Sequence, residues 1–199
     1  KPVIASYPKG AVPEAALQYW LRNRLKADPA SLDLIYQGEA QIQQSLLTGA
    51  IDGAAILEPT VTTVLTRLPQ SRVVARGSQL FPHQPGAVLL VRDKLIAEHP
   101  EAVQQLVDAQ VAATALLRDD PARTAAHVQK YVGGGRLDRA LVEKAIRNSH
   151  DQFVADPHAI VDATAELQTF QASLGTVDTA TVDVKRLFDT RFYDKAKQP

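Results

Sequence analysis

The sequence predicts an α/β protein built around a parallel sheet. In the first half of the chain, short apolar segments of strand length alternate with segments whose apolar residues recur at helical spacing. Such alternation over short connections is typical of parallel strands joined by right-handed helical crossovers. The hydrophobic fraction of 45% and the charged fraction of 22% are those of an ordinary globular protein.

Four strands and three helices are predicted in the first half. The strands cover residues 3–7, 32–36, 51–57 and 72–75, which are rich in apolar and β-branched side chains. Pro13 lies where the first turn of a helix tolerates proline, and that helix extends to about Ala27. The second helix carries Ile42 and ends at Gly49, where a left-handed cap favours glycine. The third covers residues 59–68.

The second half is predicted to be helical apart from one strand at residues 86–91. Helices begin at Pro100, Asp120-Pro121, Asp138 and Asp156-Pro157, and a short one covers residues 184–192. Aspartate before proline favours a helix start, because the carboxylate accepts from free N–H groups and proline supplies a preset φ. A single strand cannot form a sheet. Residues 86–91 therefore either join the first sheet or belong to a second sheet whose other strands are missing.

The charge and cysteine counts exclude several classes of protein. Lysine plus arginine and aspartate plus glutamate both number 22, so no net charge favours nucleic acid or an acidic membrane surface. With no cysteine, the chain has no disulfide, thiol nucleophile or thiolate metal site. No apolar run is long enough to cross a bilayer. Methionine is absent even from the first position, which predicts a processed or truncated start at Lys1.

Three loops are candidates for binding. The turn at residues 7–11 lies between a strand and a helix, where free N–H groups and the helix dipole attract an anion and Lys9 adds a positive charge. The alternative is a plain loop with a solvated lysine. Glu58, at the end of the third strand, is either a site residue or a carboxylate favoured by the dipole of the next helix. His83 lies in the loop Phe-Pro-His-Gln-Pro and is a candidate ligand contact.

Other motifs have simpler explanations. None of the five histidines forms a helical zinc pair with an acid. Outside the His83 loop they are His99, His127, His150 and His158. The first two are expected at the surface, and the last two are candidates for a local pair. Glycines 133–135 connect two helices and lack the strand, lysine and hydroxyl of a phosphate loop. No nucleophile signature is present, and Asp119-Asp120 is explained as a helix cap, so we expect no enzyme.

Three stretches together resemble a known family. They are the strand, Pro-Lys-Gly turn and helix of residues 3–25, the sequence T-G-A-I-D-G-A-A-I-L-E-P at 48–59, and V-R-D-K-L-I-A-E-H-P-E-A-V at 91–103. In order and spacing they resemble the substrate-binding proteins of bacterial ABC uptake transporters for sulfonates, nitrate, taurine and thiamine precursors. The resemblance extends over roughly the first 170 residues.

The resemblance implies a two-lobed fold of the periplasmic-binding-protein type II. Residues 1–76 would form the second lobe, around the parallel sheet. Residues 77–199 would supply the return strand and the helical portion of the first lobe. The segment that opens the first lobe in this family is expected to precede Lys1. The second of the two alternatives for residues 86–91 is therefore favoured.

The resemblance also implies ligand contacts at the ends of the strands. An anion-facing helix start would comprise Lys9, Gly10, Ala11 and Val12. The other implied contacts are Gln37, Gly38 and Glu39 after the second strand, Glu58 and Pro59 after the third, and His83 on the return crossing. No catalytic residue, metal ligand or cofactor is implied.

The function that the resemblance implies is capture of a small organic or oxyanion ligand, similar to a sulfonate, nitrate or pyrimidine, and its delivery to a membrane permease. The protein would then be periplasmic, or lipid-anchored outside the cytoplasm. Two alternatives share the fold type. One is the effector-binding domain of a LysR-type transcription regulator. The other is an enzyme similar to the thiamine-pyrimidine synthases, which the absence of cysteine disfavours because those enzymes carry a cysteine-rich iron-binding segment.

Overall fold

The structure, a computed structural model, describes residues 1–84, 86–178 and 182–197. Its strands are β1 (Val3–Ser6), β2 (Asp33–Tyr36) and β3 (Gly53–Ala54). Its α-helices are α1 (Val12–Tyr19), α2 (Glu39–Leu47), α3 (Thr60–Arg67), α4 (Gly77–Leu80), α5 (Asp93–Glu98), α6 (Pro100–Asp119), α7 (Pro121–Tyr131), α8 (Arg139–Ser149), α9 (Val161–Ser173) and α10 (Arg191–Ala196). Within the described ranges, no helix is long and apolar enough to span a membrane.

The chain divides into two compact units. The first comprises Lys1–Pro82 with Leu167–Ala180, and the second comprises His83–Glu166 with Thr181–Pro199. Helix α9 contributes residues to both. The first unit holds the three strands, and the regular elements described in the second unit are all helices. The assignment of residues 1–76 and 77–199 to two lobes of a binding protein stays a prediction.

The first unit is organised by a parallel sheet in the order β2-β1-β3. Val3 pairs with Asp33 and Ile4 pairs with Gly53, so β1 is the central strand. Alternate side chains of a strand point to opposite faces, and Ala5 packs on one face in a core with Ile42 of α2. This packing fixes the register, because a slip by one residue would move Ala5 out of the core.

A second apolar cluster of the first unit is aromatic. The rings of Tyr19, Phe81 and Phe170 lie with centroids 4.6 to 5.6 Å apart, in tilted and edge-to-face arrangements. Phe81 is buried. The cluster joins the end of α1 and the residue after α4 to α9, and each such ring pair contributes about 0.5–1.5 kcal/mol beyond area burial.

The second unit has its own core, centred on α7 and α8. The buried residues Ala125, Val142 and Ile146 form it. The helix starts predicted here are confirmed: Asp120, Asp138 and Asp156 each accept a hydrogen bond from a backbone N–H of the turn that follows. These caps satisfy donors that the first turn of a helix would otherwise leave free.

Glycines 133–135 form a short 3₁₀ turn between α7 and α8, as predicted. Gly134 and Gly135 have φ values of 61° and 79°. Residues with a side chain rarely adopt this left-handed conformation, so glycine is suited to the connection.

The predicted strands are only partly correct. An α/β chain with a parallel sheet is confirmed, but the strand predicted at 51–57 is reduced to β3, and residues 72–75 and 86–91 form no strand. Their apolar side chains are exposed: Val74 by 63% and Leu90 by 90%. Apolar composition shows that a segment would gain from burial. A strand also needs a neighbouring strand to pair with, and the composition of the segment does not show whether one is present.

Candidate functional site

The sheet order defines the candidate site. From β1 the chain connects first to β2 on one side and then, through α2, to β3 on the other. Where connections leave adjacent parallel strands in opposite directions, a crevice opens at their carboxyl ends, and ligands of α/β proteins bind there. We define the sheet edge as the last residue of β1 and the residues that follow the three strands, namely 6–14, 37–41 and 55–62.

The loop after β1 is held from both sides. The Gly10 N–H lies 3.5 Å from the carboxylate of Glu14, and the Gly10 carbonyl accepts a hydrogen bond from Gln171 Nε2 at 2.8 Å. Gly10 has a φ of 90°, which favours glycine at this turn. The Lys9 side chain extends over the ring of Tyr36, with its Nζ 5.6 Å from the ring centroid. These contacts define the conformation of the loop.

The loop after β2 is tied to the neighbouring elements. The Gln37 N–H donates to the Ser6 carbonyl at 2.9 Å, which extends the ladder between β1 and β2 by one residue. Gly38 caps α2. Glu39, the first residue of α2, accepts a hydrogen bond from the Thr60 hydroxyl at 2.5 Å. This bond joins the starts of α2 and α3.

Glu58 caps the start of α3. Its two carboxylate oxygens accept from the backbone N–H and the hydroxyl of Thr62, both at 3.0 Å. The sequence left two explanations for Glu58, and these contacts show that its carboxylate does serve the helix start. Pro59 follows Glu58 through a cis peptide bond. Whether Glu58 also contacts a ligand stays a prediction.

Two buried hydroxyl groups lie at the end of β1. Ser6 is 2% exposed, and its Oγ is buried with no hydrogen-bond partner among the described residues. The Tyr7 hydroxyl is also buried, and it interacts with the Glu39 carboxylate and the Leu57 backbone. Buried hydroxyls are nearly always paired in folded proteins, so the Ser6 hydroxyl marks a place where a ligand could supply the missing partner.

The carboxylates of the sheet edge influence both tyrosines. Burial raises the pKa of Tyr7, and the nearby Glu39 carboxylate raises it further. Burial and the Glu14 carboxylate likewise raise the pKa of Tyr36. Removing a proton from either phenol would place a second negative charge beside a carboxylate, so both tyrosines stay neutral hydroxyl groups at physiological pH.

The structure brings together all but one of the residues that the resemblance assigned to a ligand. Those at the sheet edge are Lys9, Gly10, Ala11, Val12, Gln37, Gly38, Glu39, Glu58 and Pro59. They meet there because the carboxyl ends of parallel strands share one side of a sheet. His83 belongs to the second unit, where it is exposed with a φ of 62°. Ligand contact by any of these residues stays a prediction.

Three residues at this edge were missed from the sequence. Ser6 was hidden inside a predicted strand. Glu14 is 3% exposed, and its place in the first turn of α1 is a recognisable signal for a capping acid. Gln171 lies 161 residues from Gly10 in sequence, and no local pattern connects them.

The remaining candidate groups lie in the second unit, where the described residues form neither the expected histidine pair nor a metal-ligand cluster. His150 and His158 do not pair with each other: His150 Nδ1 lies 3.0 Å from the Arg147 carbonyl, and His158 Nε2 lies 2.8 Å from Asp194 Oδ1. The Asp194 carboxylate raises the pKa of His158 through this contact. In the part of the chain that the structure describes, no group of three or more histidine or acidic residues could hold a metal ion.

The second unit also has an open cavity of about 440 Å³. Its lining includes Val91, Ile96, Leu187, Asp189 and Arg191. Arg191 and Asp189 pair with each other at 2.7 Å, so their charges are satisfied within the protein. The sheet edge, where the buried Ser6 hydroxyl has no partner among the described residues, is the better candidate.

Comparison with known proteins agrees with the resemblance in the sequence. A model of the NMT1-like family matches residues 1–132 of the 199. The matched segment includes all three strands and the whole sheet edge. Searches of curated proteins and of solved structures give no match. Since the match covers more than half of the chain, the chain belongs to the NMT1-like family.

Proposed function

We propose that this protein is a solute-binding protein, the component of an ABC uptake transporter that captures a small organic or oxyanion ligand and delivers it to a membrane permease. The observation that carries the proposal is the family match over residues 1–132, which covers the whole sheet edge. Binding proteins are among the members of this family.

The geometry of the sheet edge supports binding. Its loops are held by hydrogen bonds at Gly10, Glu39 and Glu58, so little conformational freedom is lost when a ligand arrives. The buried hydroxyl of Ser6 offers a polar group that no described residue uses. A preformed site with a few polar groups is typical of small-molecule pockets.

The proposal includes the finer features of such proteins. The fold would be the two-lobed periplasmic-binding-protein type II, and closure of the lobes would be the signal that the permease detects. The protein would act outside the cytoplasm and would bind its ligand without chemical change. Regulators and enzymes of related fold are the competing classes.

A thermal-shift screen tests the proposal. The solutes are taurine, alkanesulfonates, nitrate, bicarbonate, pyrimidines and small amines, each at millimolar concentration. A solute present at a hundred times its Kd stabilises the folded state by about 2.7 kcal/mol. For a chain of this length, each kcal/mol raises Tm by about 2–4 °C. One chemical class should therefore raise Tm clearly. A folded protein whose Tm responds to none of these solutes would contradict the proposal.

A matched pair of variants assigns any shift to the sheet edge. Ser6→Ala removes a hydroxyl that has no partner in the described structure, so the variant should be at least as stable as the wild type while its ligand-induced shift decreases. Ser149→Ala is the control, because its hydroxyl donates to the Ala145 carbonyl inside α8 of the second unit. The control should keep the full ligand-induced shift. An undiminished shift in Ser6→Ala would place the ligand elsewhere.

A further inference from the structure

We infer that the ligand of the sheet edge presents a positively charged nitrogen group, an ammonium or amidinium, to this surface. The inference rests on the proposed function and narrows its ligand class. It departs from the anion-facing helix start that the sequence resemblance implied for Lys9, Gly10, Ala11 and Val12.

The first observation is that a carboxylate of the protein lies in or just before the first turn of each helix that begins at the sheet edge. Glu14 lies 3.5 Å from the Gly10 N–H, ahead of α1. Glu58 accepts the Thr62 N–H in the first turn of α3. Glu39 is the first residue of α2. Free N–H groups at helix starts are what would attract an anion. Here an incoming anion would have to displace a carboxylate or lie beside one.

The second observation is the balance of charge. Across the sheet edge, residues 6–14, 37–41 and 55–62, the side chains that carry charge at neutral pH are three glutamates and one lysine. Glu14 is almost wholly buried, so solvent screens its charge poorly. The raised pKa values of Tyr7 and Tyr36, due to burial and then to Glu39 and Glu14, agree with a negative local field. Such a field attracts a cation and repels an oxyanion.

The third observation is that groups at the edge and at the end of β2 are suited to contact a cation. The Ser6 Oγ is buried at the end of β1 without a partner in the described residues, and a hydroxyl oxygen can accept a hydrogen bond from an ammonium. The ring of Tyr36 carries the Lys9 ammonium over its face at 5.6 Å, so this ring is positioned to contact a positive charge. A ligand ammonium could replace Lys9 there.

The test compares ligands of matched shape and opposite charge on the full chain. Benzamidinium is paired with benzoate, and propylammonium with propanesulfonate, and each Kd is measured by calorimetry at pH 7. We expect at least one cation to bind tenfold or more tightly than its matched anion. Glu39→Gln, which keeps an acceptor for the Thr60 hydroxyl, should weaken cation binding by about two- to fivefold, the range for an exposed charge pair.

Two further variants test whether the effect depends on the charges of the sheet edge. Glu101→Gln removes an exposed carboxylate from the second unit and should leave the cation Kd unchanged. Lys9→Gln removes the competing ammonium and should tighten cation binding. A Lys9→Gln variant that binds the cation more weakly would show that the Lys9 ammonium does not compete with it and would overturn the inference.

The two proposals fail in different ways. Tighter binding of either anion than of its matched cation would overturn the inference and leave the solute-binding function standing. The same holds if neither cation binds while a neutral or anionic solute of the thermal-shift screen does. If no solute of either experiment binds, both the proposed function and the inference are contradicted.

Discussion

Replacing Glu58 by alanine would remove the cap of α3 in the first unit. The variant loses a hydrogen bond from the Thr62 N–H and another from the Thr62 hydroxyl, both 3.0 Å long. Loss of an N-terminal cap costs about 0.5–2 kcal/mol. The lost interaction of the carboxylate with the helix dipole adds about 0.3–1 kcal/mol. We therefore expect Glu58→Ala to lower the free energy of unfolding by about 1–3 kcal/mol.

The assay is urea unfolding followed by the fluorescence of Trp20. This residue is the single tryptophan of the chain and lies in the first unit, so it reports on the unit that contains α3. Glu58→Gln retains one acceptor oxygen and should lose only about 0.3–1 kcal/mol. Glu101→Ala, at the start of α6 in the second unit, is the control and should leave the Trp20 transition unchanged. A Glu58→Ala protein as stable as the wild type would refute the capping role.

Three further predictions concern contacts within one or the other of the two units. Phe81→Ala should destabilise the first unit by about 3–5 kcal/mol, because it removes the ring that contacts both Tyr19 and Phe170. Phe81→Leu should cost much less. If Phe81→Ala and the wild type unfolded at the same urea concentration, as followed by Trp20 fluorescence, this packing would be contradicted. Gln171→Leu leaves the Gly10 carbonyl without its donor and should lower the free energy of unfolding in urea by about 1–3 kcal/mol. An unchanged free energy of unfolding would show that the contact does not form. The raised pKa of His158 means that its contact with Asp194 stabilises the fold below the unfolded histidine pKa of about 6.5, and that this contribution is lost as pH rises through the folded value. Asp194→Asn should therefore destabilise the protein more at pH 5.5 than at pH 8.5, and a loss independent of pH would show that the pair does not carry charge.

The helices and their caps were predictable because their signals are local. Asp120, Asp138 and Asp156 lie one position before the turns that they cap, and the same few residues that form each turn encode it. The turn at glycines 133–135 follows the same logic. The meeting of the loops at the sheet edge was also predictable, because parallel strands in a 2-1-3 order bring their carboxyl ends together.

The strands and the polar contacts of the site were harder to predict because they depend on distant partners. Residues 72–75 and 86–91 have the composition of strands, yet neither pairs with another segment in the described structure. The bond from Gln171 to Gly10 joins positions that no periodicity relates. The unpartnered state of Ser6 is a property of the folded surroundings and not of the residue itself. Both explanations of Glu58 are compatible with the sequence, and only the contacts with Thr62 show that it caps a helix.

Amide NMR tests the central claim, that the sheet edge binds the solute, most directly. At 21.6 kDa the chain is suited to two-dimensional ¹H–¹⁵N spectra. The titrant is whichever probe gives the largest thermal shift, or benzamidinium if several are equal. The account predicts that the largest perturbations fall on residues 6–14, 37–41 and 55–62, and that Ser6→Ala diminishes them. Saturable perturbations confined to the rest of the chain, with the sheet-edge amides unmoved, would contradict it.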